Sequence, residues 1–160
     1  METNSGSRDL DAFDRHILRA LQADASLSTT ELAAEVGLSQ SPCWRRLQRL
    51  KADGYIRGEV ALLDRGKLGL NVQIFAMVKL SAHGRANVAE FAQAAQAHPE
   101  VMECHITLGV MDCLLRIVTT DMRAYEAFFF EKLSILPGVQ EVNSVVSLSE
   151  FKSTTQLPLA

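Results

Sequence analysis

The chain has 160 residues, 48% of them hydrophobic, and a formal net charge of −3. That length holds one medium domain or two small ones, and no apolar run approaches the ~18 residues of a membrane span. Mild acidity does not exclude a nucleic-acid partner, because attraction to phosphate depends on charge within a Debye length of roughly 8–10 Å.

Residues 1–9, METNSGSRD, lack a hydrophobic signal segment and read as a frayed tail. Asp11 can cap a first helix running to about residue 23, with Asp9 and Asp14 adding negative charge near its positive end. Phe13, Ile17, Leu18 and Leu21 give that helix one apolar stripe. Ser28 and Glu31 form a capping-box pattern ahead of Leu32, Ala33 and Val36, and Gly37 can supply the left-handed turn that ends a short second helix. Ser39 or Ser41 caps a third helix, Pro42 falls in its first turn, and Gly54 closes it.

The third helix lies within LSQSPCWRRLQRLKADGYI. At ~100° per residue Cys43, Leu47 and Leu50 share one sector, while Arg45, Gln48 and Arg49 lie opposite, with Ser41 one turn earlier. Taken alone, this is equally a solvated face of an amphipathic helix. A short capped helix, a glycine turn and a basic helix together make a helix-turn-helix, and with it DNA binding. Arg45, Gln48, Arg49 and Ser41 are the expected base contacts, and Arg46 and Lys51 the expected phosphate contacts. Trp44 is expected to pack under the first helix, and Cys43 to be a small core residue.

Residues 58–70 read as a connector that opens with a hinge strand at 60–63. Beyond it the pattern predicts a strand over 71–82 and an alanine-rich helix over 87–98 ended by Pro99. A hairpin of 101–108 and 113–119 follows, then an Asp121-capped helix carrying Tyr125, Phe128, Phe129 and Leu133, and a last strand over 139–148. This β-α-β-β-α-β order is that of a ferredoxin-like sandwich. The predicted class is therefore α+β, with a helix-turn-helix domain at 10–57 and a second domain at 71–160. Phe75 and Met77, and likewise Met102 and Ile106, put apolar residues on a sheet face that helices on one side would leave bare. That face is expected to bury against another subunit; strand-rich composition alone is the competing explanation.

At this point the chain resembles the Lrp/AsnC (feast/famine) family of bacterial and archaeal transcription regulators. The resemblance runs from about residue 10 to residue 159. It rests on LDAFDRHILRALQADASLSTTELAAEVGLS, SPCWRRLQRLKADGYIRGEVALLD, the PGV after Leu136 and the terminal KSTTQLPL. It implies a winged-type helix-turn-helix and a C-terminal ligand-sensing domain, known as RAM (regulation of amino-acid metabolism). It also implies dimers that assemble into tetramers or octamers, binding to double-stranded DNA, and no cofactor beyond a small-molecule effector, usually an amino acid. Such a regulator works in the cytoplasm, associated with the nucleoid, and contacts no membrane.

The family's effector turn maps onto Thr107, Gly109, Val110, Met111, Asp112 and Cys113. Members commonly carry an acidic residue and two aromatics where this chain has Val110, Met111 and Cys113. A more apolar lining implies a hydrophobic or sulfur-containing effector, or loss of ligand binding. Two alternatives to an effector-responsive regulator follow: a ligand-independent architectural DNA-bending protein, or a redox-responsive regulator using Cys113. A metal at Cys104, His105, Asp112 and Cys113 is disfavoured, because adjacent strand residues point to opposite faces. No catalytic triad, carboxylate pair or phosphate loop supports an enzyme, and His16, His83, His98 and His105 are scattered.

Overall fold

The computed structural model describes residues 9–159, so the expectation for the first eight residues lies outside it. It forms two compact units, one of residues 9–62 with 152–159 and one of residues 63–151. No helix among the described residues is long and apolar enough to cross a membrane.

The first unit is built from α1 (Ala12–Ala23), α2 (Thr29–Val36) and α3 (Gln40–Ala52). Asp11 and Ser28 cap α1 and α2 through full capping boxes, so two N–H groups at the start of each helix are satisfied. Gly37 ends α2 in the left-handed region at φ 72°. Ser39 occupies the N-cap of α3, but its side chain accepts no capping bond. Ile17, Leu18, Leu32, Ala33, Val36, Cys43, Leu47 and Leu50 form the core of the three helices.

Residues 152–159 lie with this unit. Leu159 packs on the helical core. The Arg19 guanidinium donates to the Leu159 carbonyl at 2.9 and 3.2 Å, and Gln22 exchanges hydrogen bonds with Gln156 and Leu157. The polar side of α1 thus offers donors and acceptors to a backbone that has no strand partner of its own. The expected hinge strand at 60–63 does not form: Val60, Leu62 and Leu63 are largely exposed and unpaired. A lone extended segment has no ladder to join within the chain.

The second unit is a four-stranded antiparallel sheet of β1 (Val72–Leu80), β2 (Val101–Ile106), β3 (Cys113–Thr119) and β4 (Val139–Val146), in the order β2-β3-β1-β4. Ile74, Ala76, Val78 and Leu80 of β1 meet Ile117, Leu115 and Cys113 of β3 on one face. Phe91 and Ala95 of α5 (Val88–Gln96) and Tyr125 and Phe128 of α6 (Met122–Glu131) bury that face. The helix expected over 87–98 forms as α5, and a short α4 (Ala82–Ala86) that the pattern did not predict precedes it, the two separated at Asn87 (φ −122°, ψ 38°). Ser81 starts α4 early by accepting the Gly84 N–H at 3.1 Å.

The free sheet face carries Phe75, Met77, Leu114, Val118 and Val145 beside a polar row of Gln73, Glu103 and Arg116. Ile106 does not belong to it. Ile106 pairs with Cys113 on the helix side, and Met102 falls at a register shift between Val101 and Glu103.

One backbone contact fixes where α4 meets the sheet. Gly138, at φ 76°, lies so close to Gly84 that a Cβ on either would meet the other's Cα within 2.8 Å. The Ser81 N–H donates to the Gly138 carbonyl at 2.9 Å beside it. Gly138→Ala should therefore cost about 2–5 kcal/mol, combining left-handed strain with overpacking. Urea denaturation followed by far-ultraviolet circular dichroism measures the loss.

Candidate nucleic-acid interface and effector turn

The exposed side of α3 has a centre and two flanks. Ser41, Arg45 and Gln48 are exposed at its centre, and Arg45 enters no ion pair among the described residues. Towards α1, Arg46 and Arg49 are held by carboxylates. The Arg46 Nη1 donates to Asp11 Oδ2 at 2.6 Å and Asp14 Oδ1 at 2.9 Å, and Arg49 Nη2 pairs with Asp14 Oδ2 at 2.5 Å. Asp14 is 1% exposed, so its charge sits where an unpaired carboxylate would be costly. Arg46 also lies 5.5 Å over the Phe13 ring. Lys51 pairs with Glu59 at 2.8 Å on a more exposed flank.

The sequence pattern had assigned Asp14 only to the helix dipole; its partners come from another helix 32 residues away. Towards α2, Trp44 is 52% exposed and borders a shallow depression with Thr29, Gln40 and Ser41. It does not pack under the first helix. One position past Cys43 it is rotated ~100° from the buried stripe, a signal that already put it at the edge of the exposed face.

The expected effector residues form the β2–β3 turn. Its backbone is tied down from within: the Thr107 Oγ1 donates to the Met111 carbonyl at 2.8 Å, and the Thr107 N–H to the Asp112 carbonyl at 2.9 Å. The Asp112 carboxylate accepts the Leu80 N–H at 2.7 Å and lies 3.7 Å from Arg85. Asp112 thus links the turn to the end of β1. Gly109 and Val110 project outward, Val110 at 85% exposure, and Met111 is half-buried.

Cys113 points the other way, fully buried against the helix layer opposite Val78. Burial, followed by the nearby Cys104 and Asp112, pushes its thiol up to about 11. Burial also raises Cys43 and Cys104. Cys113, buried and with its thiol raised, lacks the exposure and lowered thiol that favour a redox sensor. Among the described residues no three His, Cys, Asp or Glu side chains gather closely enough to hold a metal ion.

Comparison with known proteins bears on both regions. A family model described as "Winged helix-turn-helix DNA-binding" matches residues 10–57, and one described as "Lrp/AsnC ligand binding domain" matches residues 73–157. The DNA-binding transcriptional activator DecR of Escherichia coli K12 is 37% identical over 150 residues, covering 94% of this chain and 99% of DecR. The proline dehydrogenase transcriptional activator of Rhizobium radiobacter is 41% identical over 154 residues, covering 96% and 99%. A transcriptional regulator of Neisseria meningitidis, solved as a complex with L-Met, superposes with a TM-score of 0.90 at 38% identity, covering 94% of this chain and 97% of that one.

The Asp14 backbone N–H, helped by the Arg46 guanidinium, holds Asp11 below its ordinary value of 3.8 against a desolvation penalty. A lowered acid contributes stability that is complete above its unfolded value and is lost as pH falls through the folded one. Below about pH 4 the helical unit should therefore lose stability more steeply than in an Asp11→Asn variant. Trp44, the one tryptophan, reports its thermal melting by fluorescence.

Proposed function

Given that the chain belongs to the Lrp/AsnC family of DNA-binding transcription regulators, we propose that an amino acid or related metabolite sets its assembly and DNA affinity. Its role is regulation rather than catalysis. Two copies present their α3 helices to successive major grooves ~34–36 Å apart on a pseudo-palindromic site in the nucleoid. Ser41, Arg45 and Gln48 read base edges, with Arg49 beside them, while Arg46 and Lys51 approach phosphates. The observation that carries this reading is the exposed Ser41/Arg45/Gln48 centre of α3, flanked by paired arginines.

The second unit takes the effector at the turn formed by Thr107 and residues 109–113, with Cys113 contributing from beneath as a packing residue. The outward Val110 and the neighbouring Met111 favour an apolar or sulfur-containing amino acid. The Neisseria meningitidis relative, bound to L-Met, supports methionine as the first compound to try. The free sheet face and the projecting turn serve assembly into dimers and then tetramers or octamers, where a second subunit completes the effector site. An effector that binds one assembly state better shifts DNA affinity by no more than that difference.

Thermal-shift measurements against the twenty amino acids test the effector. A compound at ~100 times its dissociation constant adds roughly 2.7 kcal/mol of stability, and Val110→Asp should weaken the response. A flat response to every amino acid, with DNA binding intact, would instead fit an architectural DNA-bending protein. For the reading face, Arg45→Ala should cost about 1–3 kcal/mol on a selected duplex and relax its sequence preference. A Lys51→Ala change should weaken all duplexes alike and flatten their salt dependence. Fluorescence anisotropy over a salt series distinguishes the two.

A further inference from the structure

Arg46 and Arg49 pose a question that phosphate binding alone does not answer. Three guanidinium groups, Arg45, Arg46 and Arg49, line one depression on α3 with Pro42, the arrangement expected of a strong general phosphate site. Yet Asp11 and Asp14 oppose two of the three positive charges, leaving one net positive charge across the set. The opposing carboxylates are built in: Asp14 is buried, and each of its oxygens accepts a guanidinium contact. Its second oxygen also accepts the Asp11 N–H at 3.3 Å as part of the α1 capping box. The carboxylate is therefore fixed by the helix start, and it fixes two side chains on the next-but-one helix.

A long arginine free to swing finds a phosphate on any sequence, whereas a tethered one keeps its remaining donors in a set direction. We propose that Asp14 is a positioning residue that restrains Arg46 and Arg49 from non-cognate phosphates and so sets the chain's discrimination between DNA sequences. This rests on the DNA-reading function above. The restraint lowers affinity for arbitrary DNA and leaves the difference between sequences to Arg45, Gln48 and the fixed Arg49.

The test uses the full chain, a duplex selected by the wild-type protein from a random pool, and a scrambled duplex of the same composition. Asp14→Asn keeps the side chain's shape and removes its charge. The plot of log Kd against log salt should steepen by about 0.9 for each arginine released. The preference for the selected over the scrambled duplex should fall about tenfold. Asp11→Asn, at a half-exposed position that pairs with Arg46 but not Arg49, should move both quantities less and in the same direction. Asp53→Asn, at the C-cap of α3 and outside these contacts, removes one charge without releasing an arginine. It should strengthen both duplexes alike and keep their ratio.

A folded Asp14→Asn protein with unchanged slope and preference overturns the proposal, as does an Asp53→Asn protein that matches it. If Asp14→Asn does not fold, Asp11→Asn decides, and an unchanged preference there overturns it equally. If the wild-type protein selects no sequence from the pool, the DNA-reading function falls and this proposal falls with it.

Discussion

A carboxylate removed from water has to be answered by positive charge, and in the helical unit that requirement falls on Asp14. Breaking a buried ion pair from one side costs several kcal/mol, because the remaining charge is stranded. Asp14 meets the requirement with two arginines from α3, which ties that basic helix to the first helix by charge as well as by the apolar contacts of Ile17, Leu47 and Leu50. The hydrophobic stripe holds the two helices together without fixing their rotation closely. A pair of directional ion pairs adds that definition. The orientation of the exposed Ser41/Arg45/Gln48 face therefore depends on a residue that is itself inaccessible to DNA.

The second unit is ruled by a different constraint, the two-residue period of β1. Because β1 is central, with β3 on one side and β4 on the other, its alternation decides which residues of three strands share a face. The Ile74/Ala76/Val78/Leu80 set faces the helices and the Phe75/Met77 set faces away. The same register sends Cys113 inward while the turn just before it projects outward. One strand position thus separates a core cysteine from the residues available to a ligand. The Asp112 carboxylate, bound to the Leu80 N–H, joins that turn directly to the central strand.

Much of this was legible in the sequence because it is local. The caps at Asp11, Ser28 and Asp121, the glycine at 37, and the alternation along β1 each act within a few residues, and each appears in the structure where its chemistry puts it. What was not legible depends on distant partners. Asp14 looks like an ordinary dipole charge until α3 is folded against it. The segment at 60–63 has strand-forming residues but no neighbour in the chain to pair with. Trp44, on the flank of its helix, was expected to pack under the first helix, and it stands half-exposed beside Thr29 instead. At the candidate site, the helical pattern put Ser41, Arg45 and Gln48 on the exposed side of α3, while the ion pairs of Arg46 and Arg49 required three dimensions.

The attachment of residues 152–159 to α1 has a consequence for how the molecule comes into being. Residues 63–151 are, in chain order, an insertion within the helical unit of residues 9–62 and 152–159. Domains ordinarily fold from the N-terminus as they are synthesised. Here the three helices emerge first, but Arg19 and Gln22 meet Leu157 and Leu159 only after the intervening residues 63–151 have been made. Completion of the helical unit is thereby coupled to synthesis of residues 63–151, and a product terminated within them carries the helices without the segment that packs on the first of them.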